Sequence, residues 1–144
     1  MELKEWTDKD FDEITWDLSV LHSFSVPNDK LEFWLDLDFI VEGRLTNQDN
    51  RYELTVAPCL LCFENVTEVN MNMTLSIGQS IIEITREFPK KFKGVMFWEY
   101  CILLDSGKIT FSSSGFRQKM LAQPKTGWSM EYSSRSLKDY KINH

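Results

Sequence analysis

The side chains best suited to acid–base chemistry in this chain of 144 residues lie close together near its beginning. His22 is the only histidine apart from the last residue, and Asp36 and Asp38 follow it in the pattern Leu-Asp-Leu-Asp-Phe. A histidine titrates near neutral pH, and it acts as a general base when a carboxylate or a nucleophile lies beside it. His22 is therefore the candidate catalytic residue, and the reaction would be that of a hydrolase or an isomerase.

Cys59 and Cys62 have the spacing found in zinc and redox sites, but the residues around them argue against both. The apolar run 57–63 indicates a strand, in which residues three apart point to opposite faces. No second pair of cysteines or histidines completes four zinc ligands. A third cysteine, Cys101, leaves an odd number, which is typical of free thiols in a reducing compartment. We expect no metal and no cofactor.

The serine run Ser112-Ser113-Ser114 before Gly115 is the remaining candidate for nucleophilic chemistry. It lacks the G-x-S-x-G pattern and stands in a chain with no alternation of strands and helices, so a nucleophile elbow is excluded. No phosphate-binding glycine loop is present either. The residues therefore favour a protein without enzymatic activity.

A long antiparallel hairpin must position His22 and the two aspartates. The turn residues 27–30 separate two runs of alternating apolar and polar residues. With Asn28 and Asp29 as a two-residue loop, Phe24 faces Phe33 and His22 faces Leu35. One face of the hairpin is then apolar except for His22, and the opposite face is wet and acidic. The binding candidates on this acidic face are Asp17, Glu32, Trp34, Asp36 and Asp38.

Alternation with a period of two continues along the chain and predicts the fold class. Residues 95–104 are apolar on both faces, and the turn 105–108 joins them to a further strand over 109–116. No segment has a convincing helical stripe. We predict a mostly β protein of about eight to ten antiparallel strands with little helix, either a β-sandwich or an up-and-down barrel. Residues 1–144 form a single domain, with an acidic N-terminal segment (1–13) and a polar, mildly basic C-terminal tail (125–144).

Charge is distributed unevenly. The chain has 22 acidic residues and 16 Lys plus Arg, a net charge of −6, and residues 1–50 alone carry 13 acids and 4 bases, which is 4 − 13 = −9. This balance argues against nucleic-acid binding, which needs clustered basic residues. No apolar run is long enough to cross a membrane, and the first residues do not resemble a signal peptide, so we expect a cytoplasmic protein. The small basic segment around Lys90, Lys91 and Lys93 indicates a solvated turn.

Four stretches of the sequence resemble a family of small uncharacterised bacterial proteins. The stretches are Trp16-Asp17…His22, residues 35–40, residues 56–63 and residues 109–118. They are similar to the family's Trp-His-Asp…His opening, its Leu-Asp-Leu-Asp-Tyr-Ile and Pro-Ala-Thr-Leu-x-Phe strands and its Ser-Gly-Phe ending. Here the opening lacks the central His, and Cys59-Leu60 stands in place of Ala-Thr. The resemblance implies a bacterial, mostly β domain, and by analogy an immunity protein that neutralises a toxin.

Three hypotheses for the function follow from these observations. The leading one is a non-enzymatic binding protein whose acidic hairpin face docks a basic protein, as an immunity protein would. The second is a β-barrel that binds a small apolar ligand in a cavity lined by Trp98, Tyr100 and His22. The third is a hydrolase or isomerase that uses His22. Neither the oligomeric state nor the identity of a partner is specified by the sequence.

Overall fold

The computed structural model describes residues 3–27, 29–45, 52–75 and 78–127, and these residues are mostly in strands. One short 3₁₀ turn, Asp8–Glu13, is the helical element of this part of the chain. The mostly β class predicted from the sequence, with eight to ten strands and little helix, is confirmed. The strands are β1 (Glu5–Thr7), β2 (Val20–Ser25), β3 (Phe33–Leu45), β4 (Tyr52–Glu64), β5 (Thr67–Met73), β6 (Gln79–Phe92), β7 (Val95–Leu104), β8 (Gly107–Ser113), β9 (Gly115–Met120) and β10 (Lys125–Gly127).

All of these strands belong to one antiparallel sheet with the order β1-β9-β4-β3-β2-β6-β7-β8-β5, and β10 also pairs with β4. We call strands β1–β4, β9 and β10 the first half, and strands β5–β8 the second half. The pairing of β2 with β6 joins the halves through two residue pairs, Val20–Ser80 and Leu21–Gln79. Because only these two pairs of described residues connect β2 with β6, the sheet bends there and the two halves pack face to face.

A corner on the opposite side also connects the two halves. Strand β4 leads directly into β5, and β8 leads directly into β9, so two paired strands cross from one half to the other together. Glu64 pairs with Gly115 on one side of the corner, and Thr67 pairs with Ser112 on the other. The Ser113 hydroxyl donates a hydrogen bond to the Glu64 carbonyl at 2.7 Å. Strands that bend in this way form the corners of two-layered β folds.

Aromatic side chains from both halves meet in the core between the layers. The Phe63 ring of the first half lies 4.7 Å from Phe111 and 5.0 Å from Tyr100 of the second half, measured between ring centroids. The Phe33 ring lies 5.5 Å from Phe111. These edge-to-face contacts add to the free energy gained from burial of the rings. Thus the apolar face predicted for β3 and one face of residues 95–104 form a common core, whereas Phe24 and Val26 of the predicted apolar face are exposed.

The predicted register of the first hairpin is wrong. Phe24 pairs with Leu35 rather than with Phe33, and Val20 pairs with Asp38 rather than with Leu37. The register shifts between Leu21 and Ser23, so His22 is the extra residue of a β-bulge. The connection between β2 and β3 is also longer than a two-residue loop. The sequence pattern did not reveal the bulge, because both registers give β3 the same apolar face.

No helix in the described ranges is long and apolar enough to cross a membrane. Of the predicted C-terminal tail, residues 125–127 form β10, and residues 128–144 lie outside the described part of the chain.

Candidate functional site

The bulge brings His22 to Asp38. The distance between His22 Nε2 and Asp38 Oδ2 is 2.7 Å, and the ring N–H donates to the carboxylate. The Asp38 side chain is fully buried and that of His22 is 12% exposed. Sequence reasoning placed these residues on opposite faces of the hairpin, which is wrong because the bulge changes the direction of the His22 side chain. A histidine beside a buried carboxylate also occurs in catalytic sites, and here the hydrogen-bonded pair is almost entirely shielded from solvent.

The predicted acidic docking face is not a solvent-exposed face. Asp36 and Asp38 are 0% exposed and Trp34 is 3% exposed. Asp36 lies between Ser23 of β2 and Leu60 of β4 in the ladders on either side of it. Asp17 is exposed and Glu32 is partly buried. The expectation that Asp36 and Asp38 are available to a basic partner is therefore wrong, because β3 is a central strand that is covered on both faces.

The three cysteines are free thiols. Burial, together with the nearby charge of Asp38, raises the pKa of the Cys59 thiol well above its usual range. Burial also raises the pKa of Cys62 to about 12, and Arg117 opposes the shift. Both thiols are thus protonated at neutral pH and are poor nucleophiles. The described residues contain no group of three or more acidic, cysteine or histidine side chains suited to a metal ion.

Glu32 and Trp34 belong to a polar network on the outer face of β3, β4 and β9. Glu32 Oε1 accepts hydrogen bonds from the Trp34 indole N–H at 2.8 Å and from the Cys62 thiol at 3.4 Å. Glu32 Oε2 lies 3.6 Å from Arg117 Nη2. The network borders a cavity of about 190 Å³. We call this space the Trp34 cavity, and its lining residues are Glu5, Lys30, Trp34, Leu60, Cys62, Arg117 and Lys119.

Trp98 and Tyr100, which the ligand hypothesis placed in one cavity with His22, surround Arg86 instead. The guanidinium carbon of Arg86 lies 4.4 Å from the centre of the Trp98 ring and 4.2 Å from that of Phe11. Arg86 Nη1 donates to Asp8 Oδ1 at 2.7 Å and to the Tyr100 hydroxyl at 3.2 Å. Burial raises the pKa of Tyr100 to about 12. We call this arrangement the Arg86 clamp, and it joins the 3₁₀ turn to β6 and β7.

Beyond the Arg86 clamp, the ends of β6 and β7 form a two-stranded extension with an exposed tip. Lys90, Lys91 and Phe92 pair with Phe97, Met96 and Val95, respectively. Lys93 and Gly94 form the turn, both with positive φ, as in a tight hairpin turn. We call residues 88–97 the arm. Sequence reasoning identified the lysines and phenylalanines here, but it assigned them to a simple solvated turn.

The exposed apolar side chains of the arm are its most unusual feature. Phe88 is 68% exposed and Phe92 is 58% exposed, while Val95 and Met96 are 44% and 42% exposed. Three lysines are interleaved with these side chains, and all three are exposed. A concentration of large apolar side chains in water is typical of a surface that binds a partner. The signal in the sequence was the alternation of phenylalanine and lysine in Phe-Pro-Lys-Lys-Phe-Lys-Gly.

A polar groove of about 350 Å³ lies beside the arm on the outer face of the second half. Glu87 and Glu99 face each other across β6 and β7, and Glu68 and Phe88 also line the groove. Like charges directly opposite each other destabilise a sheet slightly, but exposed carboxylates are screened by solvent. The side chains that line the groove include Ser112 and Cys101, and no histidine is among those described there.

No protein family model matches the chain, and no curated protein or solved structure matches it. The function must therefore be inferred from the described surfaces themselves.

Proposed function

We propose that this protein is a non-enzymatic binding domain that docks its arm onto an acidic, partly apolar surface of a partner protein. The observation that carries the proposal is the exposure of Phe88, Phe92, Val95 and Met96 on one projecting hairpin. Burial of a phenylalanine side chain against a partner contributes about 1.5–3 kcal/mol. Two such rings can supply the anchors of an interface, which are commonly aromatic.

The lysines of the arm determine the charge of the partner. Lys90, Lys91 and Lys93 give the tip three positive charges, and the turn is open at Gly94, where an added Cβ would have nothing within 4 Å. A negative surface would attract this tip over a distance of about 10 Å and would orient it on approach. The partner that we propose is therefore acidic, in contrast to the basic partner expected from the hairpin face.

A protein suits the arm better than a membrane does. Polybasic segments that bind anionic lipid usually have about four to eight basic residues. The arm has three lysines, and the whole chain carries a net charge of −6, which an anionic membrane repels. The interpretation as an immunity protein belongs to the same class of function, with a toxin as the partner. A cytoplasmic location is part of the proposal and is supported by the three free thiols.

Site-specific photocrosslinking in an extract of the host organism tests this function. A benzophenone amino acid replaces Phe92 in one variant and Leu31 in a matched control, since Leu31 is also 68% exposed but lies outside the arm. We expect the Phe92 position to yield an adduct with one acidic protein and the Leu31 position to yield none. The partner is then purified, and its dissociation constant is measured for wild type and for variants.

Charge reversal of the arm separates docking from nonspecific contact. Lys90→Glu, Lys91→Glu and Lys93→Glu together should weaken binding of the purified partner by about 100-fold, because repulsion replaces attraction. Lys108→Glu, at an exposed lysine of β8, is the control and should change binding less than about threefold. Equal affinity of the two variants would contradict the proposal. Cosedimentation of the wild type with phosphatidylserine vesicles, lost on charge reversal, would overturn it in favour of a membrane.

A further inference from the structure

The Trp34 cavity has an apolar floor and a basic rim. Trp34, Leu60 and Cys62 form the floor and are nearly fully buried, at 3%, 4% and 2% exposure. The register places Cys62 opposite Arg117 and Leu60 opposite Lys119, so both bases stand beside the floor on β9. The cavity thus combines a floor that contains an aromatic ring with a rim of charged groups from the neighbouring strand. Such an arrangement binds the apolar body and the charged end of a small molecule.

The carboxylate of Glu32 is already used within the network. It accepts from Trp34 and Cys62 and lies near Arg117. It therefore fixes the orientation of the indole ring and of the Cys62 thiol. Glu32 supplies one negative charge beside the three bases of the rim, so it neutralises the rim only in part.

The basic side chains of the rim can bind an anion. Among the described residues, Lys119 has no carboxylate within ion-pair distance, although Glu5 is its neighbour in the ladder. Arg117 has two long contacts of 3.6 Å, to Glu32 and Cys62. The Lys30 ammonium lies 5.9 Å from the centre of the Trp34 ring. Three bases and two acids, Glu5 and Glu32, leave this small region with a net positive charge on an acidic protein.

We propose that the Trp34 cavity binds a small planar carboxylate, with the carboxylate on Arg117 and Lys119 and the flat apolar body against Trp34 and Leu60. The volume of about 190 Å³ suits a single aromatic ring with one acidic group better than a nucleotide. The guanidinium group suits a carboxylate because its N–H groups form a planar fork. This site lies on the first half, and its occupancy is independent of docking by the arm.

Binding can be followed at the indole N–H of Trp34 in ¹⁵N–¹H NMR spectra of the full chain. Each of the five tryptophans has one indole N–H, and the signal that is lost in Trp34→Phe is that of Trp34. The probes are benzoate, benzamide of the same shape without charge, acetate without the ring, and inorganic phosphate. We expect benzoate to shift the Trp34 signal with a dissociation constant in the millimolar range, and the other three to bind at least about tenfold more weakly.

Substitutions of the two bases complete the test. Arg117→Gln and Lys119→Gln should each weaken benzoate binding about tenfold, while Lys108→Gln on the other half leaves it unchanged. An otherwise unchanged spectrum shows that each variant is folded. The proposal is overturned if benzamide binds as tightly as benzoate, if phosphate shifts the Trp34 signal equally, or if no probe shifts it. Unchanged binding in both the Arg117→Gln and the Lys119→Gln variant would overturn it as well.

Discussion

Asp38 has a fully buried carboxylate in the middle of β3, and the His22 ring is hydrogen bonded to it at 2.7 Å. Transfer of a charged group out of water costs several kcal/mol unless partners compensate for the lost hydration. The bulge in β2 supplies one such partner. At the scale of single residues, the pair therefore contributes to the stability of the first hairpin.

Removal of one partner should destabilise the protein. We expect His22→Ala to lower the free energy of unfolding by about 2 kcal/mol and Asp38→Ala by about 3 kcal/mol, measured by urea denaturation. Asp17→Ala, which removes an exposed acid of the same predicted face, should change it by less than about 0.5 kcal/mol. A His22→Ala variant as stable as wild type would show that the histidine serves another role.

The raised pKa of Cys62 predicts a loss of stability in alkali. The thiol has a pKa of 9.0 when unperturbed and about 12 in the folded protein. Below pH 9 both states bind the proton and stability does not depend on this group. Between pH 9 and about 12 the unfolded state binds fewer protons, so stability falls as the pH rises.

At about pH 10.5 Cys62 alone should account for a loss on the order of 2 kcal/mol relative to neutral pH, and Cys59 adds a loss of its own. Urea titrations of wild type and Cys62→Ala at both pH values measure it, and the variant should lose less. Cys101→Ala, at a thiol that is only partly buried, is the control. An equal alkaline loss in wild type and Cys62→Ala would contradict this assignment.

The sequence predicted that His22 lies on a strand face, but it did not predict that Asp38 is the partner of His22. A lone polar residue on an apolar strand face is visible in the sequence, but the bulge that turns it toward Asp38 is not. The bulge depends on how β2 pairs with β3 on one side and briefly with β6 on the other. Such tertiary pairing leaves little trace in a pattern with a period of two.

At the scale of elements, Gly115 connects the corner with the Arg86 clamp. Its φ is +147°, and a Cβ at this position would lie 2.8 Å from Asp8 Oδ1, the atom that pairs with Arg86. The absence of a side chain therefore lets the 3₁₀ turn approach the start of β9. The clamp in turn holds the base of the arm.

Gly115→Ala should lower the free energy of unfolding by about 3 kcal/mol, because it adds a steric clash to an unfavourable φ. Gly94→Ala is a matched control, since its φ of +82° is also unfavourable but nothing lies within 4 Å of the new Cβ. We expect a loss of about 1 kcal/mol there. Urea denaturation of the two variants gives the comparison, and equal losses would show that the approach of Asp8 carries no cost.

The sequence predicted long strands better than short ones. The turn between β7 and β8 follows from local pattern, since Leu104 pairs with Gly107, but the strand predicted over 109–116 is divided at Ser114 between β8 and β9. Strand β1 and the 3₁₀ turn were seen only as an acidic segment. Their positions depend on anchors such as Trp6, whose ring contacts Phe39 at 5.1 Å, and on Trp16, whose indole N–H donates to Gln118. Contacts over such sequence distances do not appear in local propensities.

At the scale of the whole molecule, charge composition was a poor guide to where a partner could dock. The excess of acid in residues 1–50 is real, but Asp36 and Asp38 are buried. The largest exposed apolar side chains near one another belong instead to the basic arm in the second half. A count of charges along the sequence cannot distinguish solvated carboxylates from buried ones, so the burial of Asp36 and Asp38 became apparent only in the structure.

The pairing of β1 with β9 also determines when the protein can fold during its synthesis. Trp6 and Gln118 are paired residues of this ladder, so the beginning of the chain must wait for residues that leave the ribosome more than a hundred positions later. A ribosome adds about 5–20 residues per second, which gives a delay of several seconds. During that time Trp6, Phe11 and Trp16 lack their partners on β9, and the nascent chain exposes these aromatic side chains to chaperones.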